Sequence, residues 1–178
     1  MKLVYATQEE QIKSVEELYL SAFPKEERIP FSLILQKQAE GLTEIYTIQD
    51  EDGAFGGLAI MALYEDMALL NYFAVSPDRR GGGIGSTVLQ MLKDRYRDRR
   101  FFLEVESTAV PAYNMRQRLE RKEFYYRNGM SDAPLMVRLM GVEMDIMVNA
   151  CSLTFEEYYD LYAGVMGGNV GDKVQLIR

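Results

Sequence analysis

Three strand-like segments with very short connections constrain the fold of this chain more than any other feature. They cover residues 43–49, 54–64 and 67–75, and only four and two residues stand between them. Antiparallel strands can be joined by tight turns, whereas a parallel crossover needs a dozen or more residues. The sequence therefore predicts an antiparallel meander near the centre of the chain.

Helical and strand-like patterns surround this meander. Apolar residues at helical spacing predict helices over 9–23, 31–39, 83–96, 113–127 and 154–163. Further strands are predicted over 2–7, 101–106, 135–140 and 142–148. No repeat or linker divides the chain, so we expect one domain over residues 1–178, with 149–178 as a carboxy-terminal helical extension. The fold class predicted by this order is α+β, with a mixed, mostly antiparallel central sheet flanked by helices.

The composition excludes several kinds of site and location. The 178 residues include no histidine, which removes imidazole metal sites and the Ser-His-Asp triad. The single cysteine, Cys151, cannot form an internal disulfide, and residues 1–5 carry no signal-peptide pattern, so we expect a cytoplasmic protein. No apolar run approaches the roughly 20 residues of a membrane helix, and we expect no membrane partner.

The net charge of −7 is unevenly distributed along the chain. Residues 78–127 hold 12 basic and 7 acidic side chains, whereas the remaining residues hold 8 basic and 20 acidic ones. The middle segment could attract an anionic ligand, while the acidic flanks disfavour nucleic acid and favour a cationic partner. Solvated helix faces are the alternative explanation of this pattern.

A glycine-rich turn follows the predicted meander and opens directly into an amphipathic helix. Glycine lets the backbone approach a ligand, and the first N–H groups of a helix lack partners, so such a turn suits pyrophosphate. A Walker loop is excluded because no lysine lies between Lys37 and Lys93. A Rossmann fingerprint fails because Gly81-x-Gly83 and Gly83-x-Gly85 both lack the third glycine at the required spacing.

The motif that remains is Arg80-x-x-Gly83-x-Gly85, and through it the sequence resembles the GNAT superfamily of N-acetyltransferases. In that family the motif binds the pyrophosphate of acetyl-CoA, the acyl donor. The resemblance implies a GNAT-like fold, no metal, and pairing of pantetheine with backbone N–H groups of the preceding strand. The cofactor-binding residues that it implies are Phe73, Val75, Arg80, Gly81, Gly83, Gly85 and Ser86.

A second similarity lies at residues 125–130, which are similar to the Tyr-x-x-x-Gly-Phe pattern of the family, with Met130 in place of Phe. The resemblance implies that Tyr125 donates a proton to the leaving thiolate of CoA. A phenol suits this role because its pKa near 10 keeps it protonated at pH 7. A packing role for Tyr125 remains open, and Tyr126 is the reserve candidate.

Two carboxylates on one face of the strand 101–106 are candidates for the base that accepts the amine proton. Residues 103–105, Leu-Glu-Val, are similar to a strand of members that acetylate protein amino termini, where the glutamate acts through water. Glu104 is therefore the first choice and Glu106 the second. The alternative is a solvated or ion-paired strand carboxylate that faces Arg116 or Arg118.

The resemblance implies an N-acetyltransferase that transfers an acetyl group from acetyl-CoA to a primary amine. The acceptor would be a small molecule or a peptide, and Glu27, in the loop region that lines the acceptor pocket of the superfamily, could hold a cationic one. An acidic surface loop is the alternative reading of Glu27. Two other functions remain open for the chain: a non-catalytic acyl-CoA-binding sensor and an interaction domain.

Overall fold

Eight strands form one sheet in the order β1-β2-β3-β4-β5-β7-β6-β8. The computed structural model describes residues 1–178, with side chains for 1–168 and 171–178. In chain order the helices and strands are β1 (Lys2–Tyr5), α1 (Glu9–Ala22), α2 (Phe31–Ala39), β2 (Thr43–Gln49), β3 (Phe55–Tyr64), β4 (Met67–Val75), α3 (Ile84–Arg95), β5 (Arg100–Glu106), α4 (Met115–Arg127), β6 (Ser131–Leu139), β7 (Val142–Val148), α5 (Phe155–Met166), α6 (Gly168–Gly171) and β8 (Val174–Leu176).

The predicted meander is confirmed, since β1 to β4 pair in succession and every pair is antiparallel. The pairing of β4 with β5 is parallel, and α3 supplies the crossover between them. The pairs formed by β5, β6, β7 and β8 are again antiparallel. The predicted α+β fold class, with a mixed and mostly antiparallel sheet flanked by helices, is therefore confirmed.

Each face of the sheet carries its own apolar core. One core contains buried residues of α1, α2 and α5, and the other contains buried residues of α3 and α4. Successive strand side chains point to opposite faces, so Leu58 and Ile60 belong to the first core while Ala59 and Met61 belong to the second. The sheet is thus covered on both faces, and its strands are buried along most of their length.

The sheet contains a β-bulge at Asn71. The pairing of β4 with β3 passes from Leu70 opposite Met61 to Tyr72 opposite Ile60, which leaves Asn71 as an extra residue. A bulge bends its strand and increases the local twist. Strand β4 therefore changes direction at Asn71.

The bulge coincides with the point at which β4 and β5 separate. Their parallel pairing runs from Met67 opposite Arg100 to Leu70 opposite Leu103 and goes no further. Beyond this point β4 stays with β3, while β5 stays with β7 as far as Glu106. The diverging strand ends leave a cleft in the middle of the sheet.

Two features at the carboxy-terminal end differ from the sequence prediction. Strand β6 begins at Ser131, four residues before the predicted start. Its pairing with β7 is irregular between Asp132 and Met136, so the first part of the strand lacks a regular sequence pattern. Residues 149–178 contain β8 as well as two helices, and β8 pairs with the outer edge of β6. This strand has only three residues, too few for an alternating pattern. Among the described residues, no helix has both the length and the apolarity to cross a membrane.

Candidate active site

A cavity of about 640 Å³ fills the cleft between the separated ends of β4 and β5. Its wall includes the second half of β4, the end of β5, part of α4 and the segment that follows α1. Seven residues that the sequence singled out line it: Glu27, Phe73, Val75, Arg80, Glu104, Glu106 and Tyr125. The fold therefore brings together candidate residues that lie up to 98 positions apart in the chain.

The cleft-facing edge of β4 carries backbone groups that do not pair with β3. The Ser76 N–H donates to the carbonyl of Gly56, in the first part of β3, at 2.9 Å. Because alternate residues of β4 pair with β3, the Phe73 and Val75 backbone groups point the other way, toward the cleft. The Val75 carbonyl accepts a hydrogen bond from Arg80 Nε at 3.1 Å. The Phe73 and Val75 N–H groups are thus placed where an extended ligand could pair with them.

The glycine turn leads from β4 into α3. Gly83 is the amino-terminal cap of α3 and has φ of 74°, a left-handed conformation that glycine adopts at little cost. The N–H groups of the first helical turn, which includes Gly85 and Ser86, have no partner within the helix. Gly81, Gly83, Gly85 and Ser86 lie outside the cavity lining, in the turn and in this first helical turn. The arrangement beside Arg80 is one that could bind an anion.

Gly85 has a second constraint that the sequence did not indicate. A Cβ atom at this position would lie 3.2 Å from Cζ of Phe124, a side chain that lines the cavity. Gly85 therefore allows α3 to pack closely against α4. A larger residue would displace Phe124 as well as hinder a ligand.

Glu104 is half-buried at the point where β5 leaves β4. Its carboxylate accepts hydrogen bonds from the hydroxyl of Tyr162, at 2.7 Å to Oε1 and 2.9 Å to Oε2, and from the hydroxyl of Tyr158 to Oε1. Burial raises the pKa of Glu104 to about 7, and the two tyrosine hydroxyls oppose that rise. A carboxylate with this pKa can accept a proton near neutral pH.

Glu106, the second candidate base, is held by positive charge. It forms ion pairs with Arg118 at 2.8 Å and Arg121 at 3.1 Å, and it accepts a hydrogen bond from Asn114 at 3.1 Å. Arg116, the other partner considered for these carboxylates, pairs instead with Glu120, one turn further along α4. The lone pairs of Glu106 are therefore largely engaged, which makes it the weaker candidate.

Glu27 lies across the cavity, in the short helical turn after α1. Tyr72 holds this segment, because its hydroxyl donates to the Glu27 carbonyl at 2.8 Å and accepts from the Ile29 N–H at 3.0 Å. Burial, followed by the negative charge of Glu106, raises the pKa of the Glu27 side chain to about 7. A cation bound beside Glu27 would offset the repulsion between the Glu27 and Glu106 carboxylates.

The two tyrosine candidates on α4 have different environments. Tyr125 lines the cavity, is 7% exposed, and has its pKa raised to about 12 by burial. Within the described part of the chain, its hydroxyl makes no hydrogen bond. Tyr126 lies outside the cavity lining, and its hydroxyl donates to Asp132 at 2.6 Å. Of the two, Tyr125 is the one whose hydroxyl can reach a ligand in the cleft.

Three residues of the site had no signal in the sequence. Asn71 is the bulged residue of β4 and lines the cavity. Tyr158 and Tyr162 lie four positions apart on α5, where the spacing indicates only a buried helix face. Their contact with Glu104 depends on how α5 packs against the sheet, which no local pattern encodes.

Solved structures with this fold come from acetyltransferases. A GNAT-family protein from Bacteroides thetaiotaomicron is 23% identical over 94% of this chain and 99% of its own, with a TM-score of 0.76. The spermidine N-acetyltransferase of Vibrio cholerae, solved with CoA and spermine, is 11% identical over 84% of this chain and 95% of its own, with a TM-score of 0.64. An aminoglycoside 6'-N-acetyltransferase complexed with coenzyme A is 13% identical over 86% of this chain and all of its own, also with a TM-score of 0.64.

The sequence itself carries a family signature. No curated protein sequence matches the chain. The sequence model of the acetyltransferase (GNAT) family, however, matches residues 12–120, which span α1 to the middle of α4 and include the glycine turn and Glu104. Since this match covers more than half of the chain, the protein belongs to the GNAT family of acetyltransferases.

Proposed function

We propose that this protein is an N-acetyltransferase that transfers the acetyl group of acetyl-CoA to the primary amine of a small, cationic acceptor. The observation that carries this proposal is the cleft between β4 and β5. A glycine turn stands at one end of β4, backbone groups that do not pair with β3 line its edge, and Glu104 and Tyr125 face the same cavity. The single, part-buried Cys151 suits a reducing, cytoplasmic location, which we include in the proposal.

The donor would bind along β4. The pyrophosphate of acetyl-CoA would accept hydrogen bonds from the N–H groups of residues 81–86 and interact with the positive charge of Arg80. The pantetheine amides would pair with the Phe73 and Val75 backbone as an added strand. This arrangement would direct the thioester into the cavity, toward Glu104 and Tyr125.

The reaction would be a direct transfer without a covalent enzyme intermediate. The amine nitrogen attacks the acetyl carbonyl carbon, and a backbone N–H of the cleft edge stabilises the oxygen as it gains charge. Glu104, directly or through water, accepts the proton that the nitrogen loses. The C–S bond then breaks, and Tyr125 protonates the CoA thiolate. The products are an N-acetyl amine and CoA with a free thiol.

The charge of the cavity supports a cationic acceptor. Four carboxylate side chains and two arginine side chains line it. Glu104 and Glu27 are the two whose pKa burial raises, so an ammonium group would stabilise their charged forms. Two of the structural neighbours are a spermidine N-acetyltransferase and an aminoglycoside N-acetyltransferase, and polyamines and aminoglycosides are both polycations.

Release of free thiol from acetyl-CoA in the presence of single amines tests the proposal. The panel comprises spermidine, spermine, an aminoglycoside, free amino acids and a peptide with a free amino terminus, and we expect turnover with a polycation. Binding of acetyl-CoA without turnover on any amine would favour an acyl-CoA sensor. No binding of acetyl-CoA would leave only an interaction domain.

A further inference from the structure

We propose that α5 is part of the catalytic apparatus, with Tyr158 and Tyr162 as positioning residues that hold the Glu104 carboxylate ready to accept the amine proton. This inference rests on the proposed role of Glu104 as the base. It assigns a function to the carboxy-terminal extension, which lies outside the stretch matched by the family.

The geometry of the pair supports this role. Tyr158 and Tyr162 lie one helical turn apart on α5, both fully buried, and both hydroxyls meet the carboxylate of Glu104. Asn71 Nδ2 donates to the Tyr162 oxygen at 3.0 Å. A tyrosine hydroxyl has one proton to donate in a hydrogen bond. The Tyr162 hydroxyl therefore accepts a hydrogen bond from Asn71 and donates its own to Glu104. The carboxylate is therefore held by two donors whose own positions are fixed.

Packing in this environment does not require the hydroxyl groups. The rings of Tyr158 and Tyr162 lie within the apolar core between α5 and the sheet, where phenylalanine would pack equally well. Across β5, the residue paired with Glu104 is the apolar Ile146. The one titratable side chain of β4 is Tyr72, whose hydroxyl forms hydrogen bonds with the segment after α1. Among the described residues, no charged side chain balances Glu104, so the two hydroxyls are what stabilise its ionised form.

The arrangement sets both the position and the basicity of the carboxylate. Oε1 accepts from both tyrosines, whereas Oε2 accepts only from Tyr162 and keeps capacity for an amine or water. Burial raises the pKa of Glu104 and each tyrosine hydroxyl lowers it, so removal of either hydroxyl should raise that pKa further. Loss of one hydrogen bond to a charged group shifts the pKa of that group by about one unit. At neutral pH most of the base would then be protonated and inactive.

Titration of Glu104 by NMR tests the pair without any turnover. The protein is labelled with ¹³C at glutamate carboxyl carbons, and Glu104→Gln identifies the resonance. We expect Tyr158→Phe and Tyr162→Phe each to raise the midpoint by about one pH unit. Tyr159→Phe, on the same helix but with its hydroxyl near Asp172, should leave it unchanged. An unchanged midpoint in both Tyr158→Phe and Tyr162→Phe would overturn the inference.

A measurement on the parent protein covers the case in which a variant does not fold. With ¹³Cζ-labelled tyrosine, two buried ring resonances should change at the same midpoint as Glu104. Both changes should vanish in Glu104→Gln. Tyrosine resonances that do not follow the Glu104 titration would contradict the proposed contact.

The pH profile of turnover distinguishes a positioning role from a structural one. In both variants the acid limb of kcat/KM should shift upward by about one unit, which is about a tenfold loss below the limb, and activity should recover at higher pH. Loss that is equal at every pH would indicate damage to the fold and overturn the inference. If the parent acetylates no amine, the proposed function fails, whereas the NMR titration still decides whether the tyrosines control Glu104.

Discussion

The Nδ2 atom of Asn71 donates a hydrogen bond of 3.0 Å to the hydroxyl of Tyr162, which joins the bulge of β4 to α5 across 91 positions of sequence. The same bulge marks the point at which β4 and β5 separate, so one residue both opens the cleft and contacts the helix that covers Glu104. The shape of the cavity and the placement of the candidate base therefore depend on one local irregularity.

Glu104→Gln should change how stability depends on pH. The folded-state pKa of about 7 lies above the ordinary value of 4.5, so the carboxyl contributes stability below about pH 4.5 that is lost as the pH rises through 7. Glutamine does not titrate, and Tm of the variant minus Tm of the parent should therefore increase from pH 4.5 to 8. The change corresponds to at most about 3 kcal/mol. Thermal unfolding at several pH values measures it, and a constant difference would contradict the raised pKa.

Gly83→Ala should weaken acetyl-CoA binding, and a substitution that costs the same stability elsewhere in the chain should not. Gly83 and Gly41 both have positive φ, 74° and 76°, and an added Cβ at either meets no atom within 4 Å. Each substitution should cost about 1 kcal/mol of left-handed strain. Gly41, between α2 and β2, is the matched control, and only Gly83→Ala should raise the Kd measured by calorimetry. Equal Kd values in the two variants would exclude the turn as the pyrophosphate site.

Tyr125→Phe should lower kcat while the protein remains folded and binds acetyl-CoA. General-acid catalysis contributes about 10²–10⁴-fold, and the ring that packs against α3 is retained. The pKa of about 12 keeps the Tyr125 hydroxyl protonated at any pH used for assay. Tyr126→Phe is the control, because that hydroxyl is bonded to Asp132. A Tyr125→Phe variant with the kcat of the parent would show that water, and not Tyr125, protonates the thiolate.

Glu27→Gln should raise KM for a polyamine about tenfold, the effect of losing one charge-assisted hydrogen bond, and leave KM for acetyl-CoA unchanged. Glu26, the exposed neighbour in the same turn, provides the control variant Glu26→Gln. Steady-state kinetics with each substrate varied in turn measures both constants. Equal KM values for the polyamine in the two variants would place the acceptor cation elsewhere.

Salt should reduce the rate with a cationic acceptor. The net charge of −7 and the acidic cavity attract a polycation over distances that salt screens to about 8 Å at physiological ionic strength. We expect kcat/KM for a polyamine to fall steadily as the salt concentration rises. A preference for an anionic acceptor, or a rate independent of salt, would contradict electrostatic attraction.

The features that the sequence predicted are those that neighbouring residues decide. Connections of four and two residues permit only antiparallel hairpins, and the meander follows from them. The predicted start of the last helix is confirmed, since Thr154 and Glu157 form a capping box there with both of its hydrogen bonds present. Glycines directly before an amphipathic helix indicate an anion-binding turn, and Gly83 has the left-handed conformation that such a turn uses.

The difference between Glu104 and Glu106 could not be read from the chain. A strand places both side chains on one face, so their spacing predicts two equivalent carboxylates. In the folded protein Glu106 forms ion pairs with two arginines of α4, whereas Glu104 accepts hydrogen bonds from two tyrosines of α5. The partners of Glu104 lie 54 and 58 positions away.

By itself, the sequence determined the fold class, the order of the elements as far as α5, the glycine turn before α3 and the set of candidate side chains, because each depends on contacts within a few residues. The tertiary structure alone decided where β4 and β5 separate, which carboxylate accepts hydrogen bonds from tyrosine hydroxyls, and what the carboxy-terminal extension touches. These depend on how a bulged, twisted sheet packs against helices far away in the chain. Such packing is a property of the whole core, and no local pattern records it.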